Sequence, residues 1–257
     1  MNASANDTFA ILGFGRFGQA FCGLLRQAGY PVRVYDPAAD VPADVAAASP
    51  AAAVAEAGWV ILAMPVAFMR QALQELRPLL RADQVVMDVG SVKQEPEQWR
   101  AEILGDAFAH IGAHPLFGPI SLARGDRPRR VVLCVSHDHP DVLPRAKALF
   151  ESLDCDVVER TPAEHDQAMA RTHAMAFFIA KALVEMGVGE DLSLAPPSFL
   201  GLRHMLDAVR GDAGHLFPTI QGENPYAPAA RQELIDHLVA IHQRLEAGDD
   251  ASLIIPN

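Results

Sequence analysis

The stretch FAILGFGRFG, residues 9–18, decides how the fold begins. Four apolar residues, Phe9–Leu12, have the composition of a buried strand, and a helical pattern over Phe17–Ala28 overlaps the last glycine. In a strand-turn-helix unit, Gly13 permits the tight turn, Gly15 lets the backbone approach a pyrophosphate, and Gly18 allows close packing of helix on strand. The predicted dinucleotide site therefore comprises the whole turn, Gly13-Phe14-Gly15-Arg16-Phe17-Gly18.

The residue after the second predicted strand indicates which dinucleotide is bound. Asp36 follows Val32–Tyr35 and lies 18 residues after the last glycine of the turn. A carboxylate at this place accepts hydrogen bonds from the ribose hydroxyls and repels a 2′-phosphate. Because the next four residues include neither Arg nor Lys, we predict NAD rather than NADP. Met64 and Pro65, directly after the third predicted strand, are assigned to the same cofactor site.

Short apolar runs alternate with helical patterns through the first 160 residues, which predicts an α/β fold with a doubly wound parallel sheet of the Rossmann type. The predicted strands are Phe9–Leu12, Val32–Tyr35, Trp59–Ala63, Val85–Asp88, Ala109–Ile111, Val131–Val135 and Asp156–Val158. We therefore predict an NAD-binding domain over residues 1–160.

From Pro162 onward the sequence has no convincing strand, and we predict an all-helical domain over residues 161–257. Its predicted helical segments are Glu164–Met186, Phe199–Arg210 and Pro228–Ala247. A helical domain of about 95 residues is marginal by itself. Pairing with a second copy would bury its apolar helix faces, so we expect a homodimer.

The composition excludes several classes of function. The formal net charge is −11 and Lys and Arg form no dense face, which argues against a nucleic-acid partner. Three widely spaced cysteines, the lack of a signal-peptide pattern and the lack of a long apolar run indicate a cytoplasmic protein that does not enter a membrane. His137 and His139 resemble a metal-ligand pair, but they lie in a predicted turn and no metal is expected.

Polar residues follow two neighbouring predicted strands. One group is Asp88-Val-Gly-Ser91-Val-Lys93, and the other begins with His114-Pro115. Because ligands bind at the carboxyl ends of strands in such sheets, both groups are expected at one edge. A nicotinamide enzyme that oxidises an alcohol needs a base, and we assign His114 to this role, with Ser91 holding its other ring nitrogen. Taken alone, Ser91 is equally typical of a helix N-cap and His114 of a structural loop histidine.

These motifs together resemble the prephenate/arogenate dehydrogenase family. The order and spacing agree over roughly residues 8–190, and the residues that carry the resemblance are Gly13-x-Gly-x-x-Gly18, Asp88-x-x-Ser91-x-Lys93, His114-Pro-Leu-Phe-Gly-Pro119 and Glu164-His165-Asp166. The resemblance implies oxidative decarboxylation of a cyclohexadienyl substrate in tyrosine biosynthesis, with NAD as hydride acceptor and no metal. It also implies His114 as base and Ser91 as its orienting partner, with Ser91, Lys93 and His114 at the substrate. With Gly13 so near the start and Asn257 at the end, we expect neither a chorismate mutase domain nor an ACT domain.

The sequence departs from this family at two places. Phe177 stands where the family usually has a histidine, and His173, one turn earlier, is the predicted substitute, although a helix-face residue would fit the pattern as well. Leu200 stands where the family has a carboxylate-binding arginine, and Arg203 is the preferred substitute. The other candidates are Arg124, Arg171 and Arg210. These departures leave three hypotheses: a prephenate dehydrogenase, a relative acting on arogenate or 4-amino-4-deoxyprephenate, and a non-catalytic NAD-binding sensor.

Overall fold

The computed structural model describes residues 8–135, 139–210, 214 and 216–249. Seven strands form one sheet in the order β2-β1-β3-β4-β5-β6-β7. The strands are β1 (Phe9–Leu12), β2 (Val32–Tyr35), β3 (Trp59–Leu62), β4 (Val85–Asp88), β5 (Ala109–Pro115), β6 (Arg130–Cys134) and β7 (Asp156–Arg160). The first five run parallel to one another, as expected for a Rossmann fold.

Helices cover both faces of this sheet. The helices before residue 160 are α1 (Arg16–Gln27), α2 (Pro50–Val54), α3 (Met69–Leu76), α4 (Gln94–Ile103), α5 (Pro119–Arg124) and α6 (Val142–Ser152), with 3₁₀ turns at Val66–Phe68, Arg77–Leu79 and Gly105–Ala107. Phe9 and Ile11 pack into the core on one face, and Ala10 and Leu12 into the core on the other. The central strands are therefore apolar throughout, because both of their faces are buried.

The register of the parallel strands aligns their carboxyl ends. Leu12 pairs with Tyr35 and Leu62, Leu62 pairs with Asp88, and Asp88 pairs with Gly112. The residues that follow these positions therefore lie side by side along one edge of the sheet. This alignment is the physical reason why the glycine turn, Asp36 and the polar residues that follow Asp88 and Gly112 come together.

The sheet differs from the sequence prediction in two ways. It is not wholly parallel, because β6 runs antiparallel to β5 and β7 follows the direction of β6. The chain between β5 and β6 folds back at the edge where β5 ends, since the Leu116 amide donates to the Arg130 carbonyl at 2.8 Å. Pairing with β6 also extends β5 from the predicted end at Ile111 to Pro115, so His114 lies within a strand rather than in a loop.

The chain after residue 160 is helical, and none of its described residues forms a strand. Its helices are α7 (Pro162–Met169), α8 (Met175–Glu185), α9 (Pro197–Arg210), α10 (Leu216–Pro218) and α11 (Ala227–Glu246), with π-helical turns at Ala170–Ala174 and Thr219–Glu223. The first predicted helix, Glu164–Met186, thus begins earlier and contains a π turn. It begins at Pro162 because Thr161 and Glu164 form a capping box.

The three cysteines and His139 of the metal-like pair can be located in the fold. Cys22, Cys134 and Cys155 are buried free thiols. His137 lies outside the described residues, and His139 contacts the Gly105 carbonyl at 3.1 Å. Of the helices in the described ranges, none is both long and apolar enough to cross a bilayer.

Candidate active site

The glycine turn after β1 has the geometry of a dinucleotide cradle. Gly13 has a φ of +104°, and a Cβ on it would lie 2.6 Å from the Ala63 carbonyl oxygen. A Cβ on Gly18 would lie 2.2 Å from the Gly13 carbonyl oxygen, so the helix packs too closely for any side chain there. A Cβ on Gly15, by contrast, would meet no atom within 4 Å. The turn is therefore closely packed at Gly13 and Gly18 and open at Gly15, where the N-terminus of α1 can face a pyrophosphate.

Asp36 is held in place at the end of β2 by backbone amides. Its Oδ2 accepts a hydrogen bond from the Phe14 amide at 2.6 Å, and its Oδ1 accepts one from the Ala38 amide at 2.8 Å. These charge-assisted bonds fix the carboxylate beside the glycine turn. A fixed negative charge at this point fits the ribose of NAD and opposes the 2′-phosphate of NADP.

A cavity of about 870 Å³ lies along this edge of the sheet. Of the predicted cofactor residues, those that line it are Gly15, Arg16, Phe17, Asp36, Met64 and Pro65. Of the predicted chemical residues, those that line it are Ser91, His114 and His173. Gly13, Phe14 and Gly18 are not among the lining residues and form the turn behind the wall. The structure thus brings the expected cofactor and chemical groups into one cavity of ordinary ligand-binding size.

His114 is buried in the wall of the cavity and is bonded to a second histidine. Its Nδ1 lies 2.8 Å from Nε2 of His165, and Nδ1 of His165 lies 2.7 Å from Oδ1 of Asp166. An ionised carboxylate only accepts, so Nδ1 of His165 carries the hydrogen and its Nε2 accepts. His114 therefore donates from Nδ1, which leaves the lone pair of its Nε2 free to take a proton.

Burial keeps the His114 ring in its neutral, singly protonated form. Burial lowers the pKa of His114 well below its ordinary value, and the nearby His165, His173 and Lys93 lower it further. Burial also lowers the pKa of His165, although the hydrogen bond to Asp166 opposes this shift. At neutral pH both imidazoles are therefore neutral, as a base that waits for a substrate proton requires.

Asp166 joins the helical region to the sheet. Its Oδ1 and Oδ2 accept hydrogen bonds from the Lys93 and Gln94 amides, each at 2.9 Å, at the N-terminus of α4. The side chain of Asn224 donates to the Asp166 backbone carbonyl at 2.8 Å. In the sequence, Glu164-His165-Asp166 contributes only to the family resemblance, and these residues received no predicted role. The adjacent His-Asp pair at the start of a helix was the available signal.

Ser91 lies in the cavity wall, but the described hydrogen bonds include none between Ser91 and His114. The orienting bond predicted for Ser91 is made on the Nδ1 side by His165 instead. The side chain of Ser91 is nearly buried at the turn between β4 and α4. Its contact with substrate remains a prediction.

The structure does not place Lys93, a predicted substrate residue, among the lining residues of the cavity. Lys93 is fully buried, and its Nζ pairs with Oδ1 of Asp88, whose Oδ2 pairs with Arg100. Burial alone would raise the pKa of Asp88, but the charges of Lys93 and Arg100 hold it below its ordinary value. Both cations pair with this buried carboxylate, and moving the lysine towards the cavity would break one of the two buried ion pairs.

His173 lies close to His114. It lies in the π turn Ala170–Ala174, with its ring centroid 6.0 Å from that of His114 and 4.8 Å from that of Phe177. Burial, with a smaller effect of His165, lowers the pKa of His173 to about 4. Its placement in the cavity agrees with the predicted substrate role, and Phe177 lines the same wall.

The structure does not place the preferred arginine at the cavity. The side chain of Arg203 is half exposed, 3.7 Å from Asp207, and is not among the lining residues. Arg171 is exposed and pairs with Glu233 at 3.0 Å. Of the four candidate arginines, Arg124 alone lines the cavity.

Comparisons with known proteins agree with this arrangement. The family model for the nucleotide-binding domain of prephenate dehydrogenase matches residues 34–159. A 4-amino-4-deoxyprephenate dehydrogenase from Streptomyces pristinaespiralis is 33% identical over 93% of this chain and 84% of its own length. The T-protein of Haemophilus influenzae is 27% identical over 69% of this chain, which spans only 44% of that protein.

The fold also matches a solved structure. The prephenate dehydrogenase of Aquifex aeolicus, crystallised with hydroxyphenyl propionate and NAD⁺, superposes with a TM-score of 0.76. The superposition covers 96% of this chain and 93% of the other at 21% sequence identity. At this identity the match supports the fold, and the chemistry rests on the residues of the cavity.

Proposed function

Because the chain belongs to the prephenate/arogenate dehydrogenase family, we propose that this oxidoreductase catalyses the NAD-dependent oxidative decarboxylation of prephenate to 4-hydroxyphenylpyruvate. The observation that carries the proposal is the orientation of His114. Its Nδ1 is committed to His165, and its Nε2 remains a neutral acceptor in a cavity that also contains the glycine turn and Asp36. This combination is what removal of a hydroxyl proton beside a nicotinamide requires.

The residues of the cavity divide the chemistry between them. Gly15 and the N-terminus of α1 would hold the pyrophosphate of NAD, and Asp36 the ribose hydroxyls. NAD supplies the hydride acceptor for the ring carbon that bears the hydroxyl. His114 takes the hydroxyl proton at Nε2, and loss of carbon dioxide makes the ring aromatic. His114 then returns the proton to the phenolate oxygen, which gives 4-hydroxyphenylpyruvate. Phe177 and the other apolar lining residues exclude water from the ring.

A second candidate substrate is 4-amino-4-deoxyprephenate. It is favoured by the 33% identity to a 4-amino-4-deoxyprephenate dehydrogenase over most of both chains. An amine at the reacting carbon also has to lose a proton, so the same neutral His114 serves both substrates. Arogenate, which differs from prephenate in its side chain, is the remaining alternative within the family.

Initial rates of NADH formation test this proposal directly. The wild-type chain is expected to reduce NAD with prephenate, and the same assay with arogenate and 4-amino-4-deoxyprephenate ranks the three substrates. His114→Asn is expected to lower turnover by about 10²- to 10⁴-fold, and Ser91→Ala to lower it less. His237→Gln, on the exposed face of α11, is the matched histidine control and should not change the rate.

Two outcomes would contradict the proposal. Wild-type turnover in His114→Asn would remove His114 from the role of base. NAD binding without NADH formation from any of the three substrates would favour the non-catalytic sensor.

We also propose a homodimer formed through the helical region. The last helix, α11, exposes a row of large apolar residues along its length: Ile235, Leu238, Val239, Ile241 and Leu245. A row of this kind on a soluble protein is typical of an association surface.

A further inference from the structure

We propose that His165 is a positioning residue that also holds the reaction's proton charge: when His114 takes a proton at Nε2, its Nδ1 proton passes to Nε2 of His165. The positive charge then rests between His114 and Asp166. This inference deepens the proposed function, since it concerns the base of the same reaction.

The contacts set the direction of this transfer. The three groups are joined by bonds of 2.8 Å and 2.7 Å, and all three are buried. Asp166 cannot easily turn away from His165, because both of its oxygens also accept from amides at the start of α4. The hydrogens therefore point from His114 towards His165 and from His165 towards Asp166 before any substrate arrives.

The step balances without a further reactant. The O–H bond of the substrate breaks as the N–H bond at Nε2 of His114 forms. The N–H bond at Nδ1 of His114 breaks as the N–H bond at Nε2 of His165 forms. No electrons leave the imidazoles, because the hydride departs separately from the ring carbon. When carbon dioxide leaves, its bonding electrons make the ring aromatic and place negative charge on the oxygen that lost the proton. The two transfers then reverse, and Nε2 of His114 returns the proton to that oxygen, which gives the phenol.

The surrounding charges favour the cation at His165. For His114, burial and the neighbouring His165, His173 and Lys93 all lower the pKa. For His165, burial and Lys93 lower the pKa, whereas the carboxylates of Asp166 and Asp88 raise it. The difference is the directly bonded carboxylate, and charge-assisted bonds of this kind are stronger than neutral ones.

The remaining titratable groups near the pair do not change this order. Around His165 the facing groups are His114 of β5, Asp88 of β4, Lys93 at the start of α4, Asp166 of α7 and His173 of the π turn. Cys134 of β6 lies near the same charges, but burial raises its thiol pKa to about 12, so it stays neutral. Asp166 is therefore the carboxylate that stabilises a positive charge on His165.

The test is His165→Gln, because the glutamine oxygen can accept the Nδ1 hydrogen of His114 but cannot hold a proton. If His165 stores the charge, the proton must stay on the less basic His114. A weaker base titrates at lower pH, so the acid limb of the kcat profile is expected to move to lower pH. We expect kcat to fall by about tenfold or more with little change in KM. His237→Gln is again the matched control.

A purely orienting role gives a different result, since glutamine would restore both kcat and the wild-type acid limb, and this result would overturn the inference. A second measurement uses the free wild-type chain: ¹⁵N chemical shifts of the histidine rings during acid titration. We expect His165 to become doubly protonated before His114, and the reverse order would also overturn the inference. This readout needs no substrate, so it stands even if His165→Gln does not fold or the substrate assignment fails.

Discussion

The fixed charge of Asp36 bears on which of the two dinucleotides, NAD or NADP, can bind. Both of its oxygens accept from backbone amides, so the carboxylate cannot swing away from a bound ribose. A 2′-phosphate would meet this charge at close range in a partly buried site, where Coulomb repulsion is weakly screened. We therefore expect a preference for NAD that depends on an orientation of Asp36 already present before the cofactor binds.

We expect Asp36→Ser to reduce the preference for NAD over NADP by about tenfold or more, which corresponds to roughly 1.4 kcal/mol of differential binding. The measurement is the ratio of kcat/KM for the two cofactors. Asp40→Ser changes an exposed carboxylate four residues further on and is the matched control. An unchanged ratio in Asp36→Ser would show that the preference has another source.

Arg124 is the arginine that the structure offers to a substrate carboxylate. It lies at the end of α5 and lines the cavity, and within the described ranges no carboxylate forms an ion pair with it. Prephenate and the two related candidate substrates carry carboxylates that need a cationic partner once they leave water. We therefore propose Arg124 rather than Arg203 as the anchor of the substrate carboxylate.

Replacing Arg124 by Gln should raise KM for the substrate by about 10- to 100-fold, because a charge-assisted hydrogen bond is lost. KM for NAD should stay near its wild-type value, which separates a substrate anchor from a cofactor contact. Arg171→Gln removes an exposed arginine that pairs with Glu233 and serves as the control. Equal effects of the two variants on substrate KM would contradict the assignment.

Single residues were predictable from sequence where a motif fixes both type and position, as for the glycine turn, Asp36 and His114. They were not predictable where the outcome depends on which way a side chain points. Lys93 follows the same strand as Ser91, yet it turns inward to a buried aspartate while Ser91 lines the cavity. The partner of His114 lies on a helix 51 positions away, so the adjacent His165-Asp166 pair was a signal in the sequence but did not indicate its contact with His114.

At the scale of elements, we expect the junction between α4 and α7 to contribute to the stability of the fold. The N-terminal amides of α4 have no partners within the helix, and Asp166 of α7 accepts from two groups there. A helix N-terminus also favours a nearby negative charge. The buried Asp166 carboxylate thus supplies acceptors for two amides at the N-terminus of α4 and also bonds to His165. It thereby joins α7 to α4.

Asp166→Ala is expected to lower the free energy of unfolding by about 2–4 kcal/mol, because it leaves buried donors without an acceptor. Glu164→Ala removes the exposed acid of the α7 capping box and should cost only about 0.5–1 kcal/mol. Urea denaturation of the two variants measures the contrast. Similar losses in both would mean that the junction contributes no more than an ordinary helix cap.

The strand pattern was predictable because apolar runs of strand length alternate with helices through the first 160 residues. The direction of β6 was not predictable, because the apolar pattern of a buried strand is the same for parallel and antiparallel pairing. The path of the loop between β5 and β6 decides the direction. The π turn Ala170–Ala174 was hidden for a similar reason, because one extra residue per turn hardly disturbs helical periodicity. That turn nevertheless carries His173 into the cavity.

For the whole molecule, the main prediction concerns association. We expect the wild-type chain to run in light scattering at about twice its monomer mass of 27.7 kDa. Leu238→Glu combined with Leu245→Glu should shift it towards the monomer, because both changes put charge into the exposed apolar row of α11. Gln243→Glu adds charge to the same helix at a polar position and is the control.

A monomeric wild-type chain at micromolar concentration would contradict the proposed dimer. A dimer that survives the double substitution would move the interface away from α11.

The bond between His165 and His114 also bears on how chains of this architecture can diversify or be recombined. The residues proposed to bind the cofactor precede residue 160, but the His165-Asp166 pair bonded to the proposed base follows it. A chimaera joined near residue 160 therefore takes His114 from one parent. The groups that bond to His114 and set its protonation come from the other parent. Such hybrids should work only where the incoming helix reproduces the histidine-aspartate pair and meets α4. We expect substrate range to drift more freely at Phe177, which lines the cavity and makes no described bond to His114 or His165.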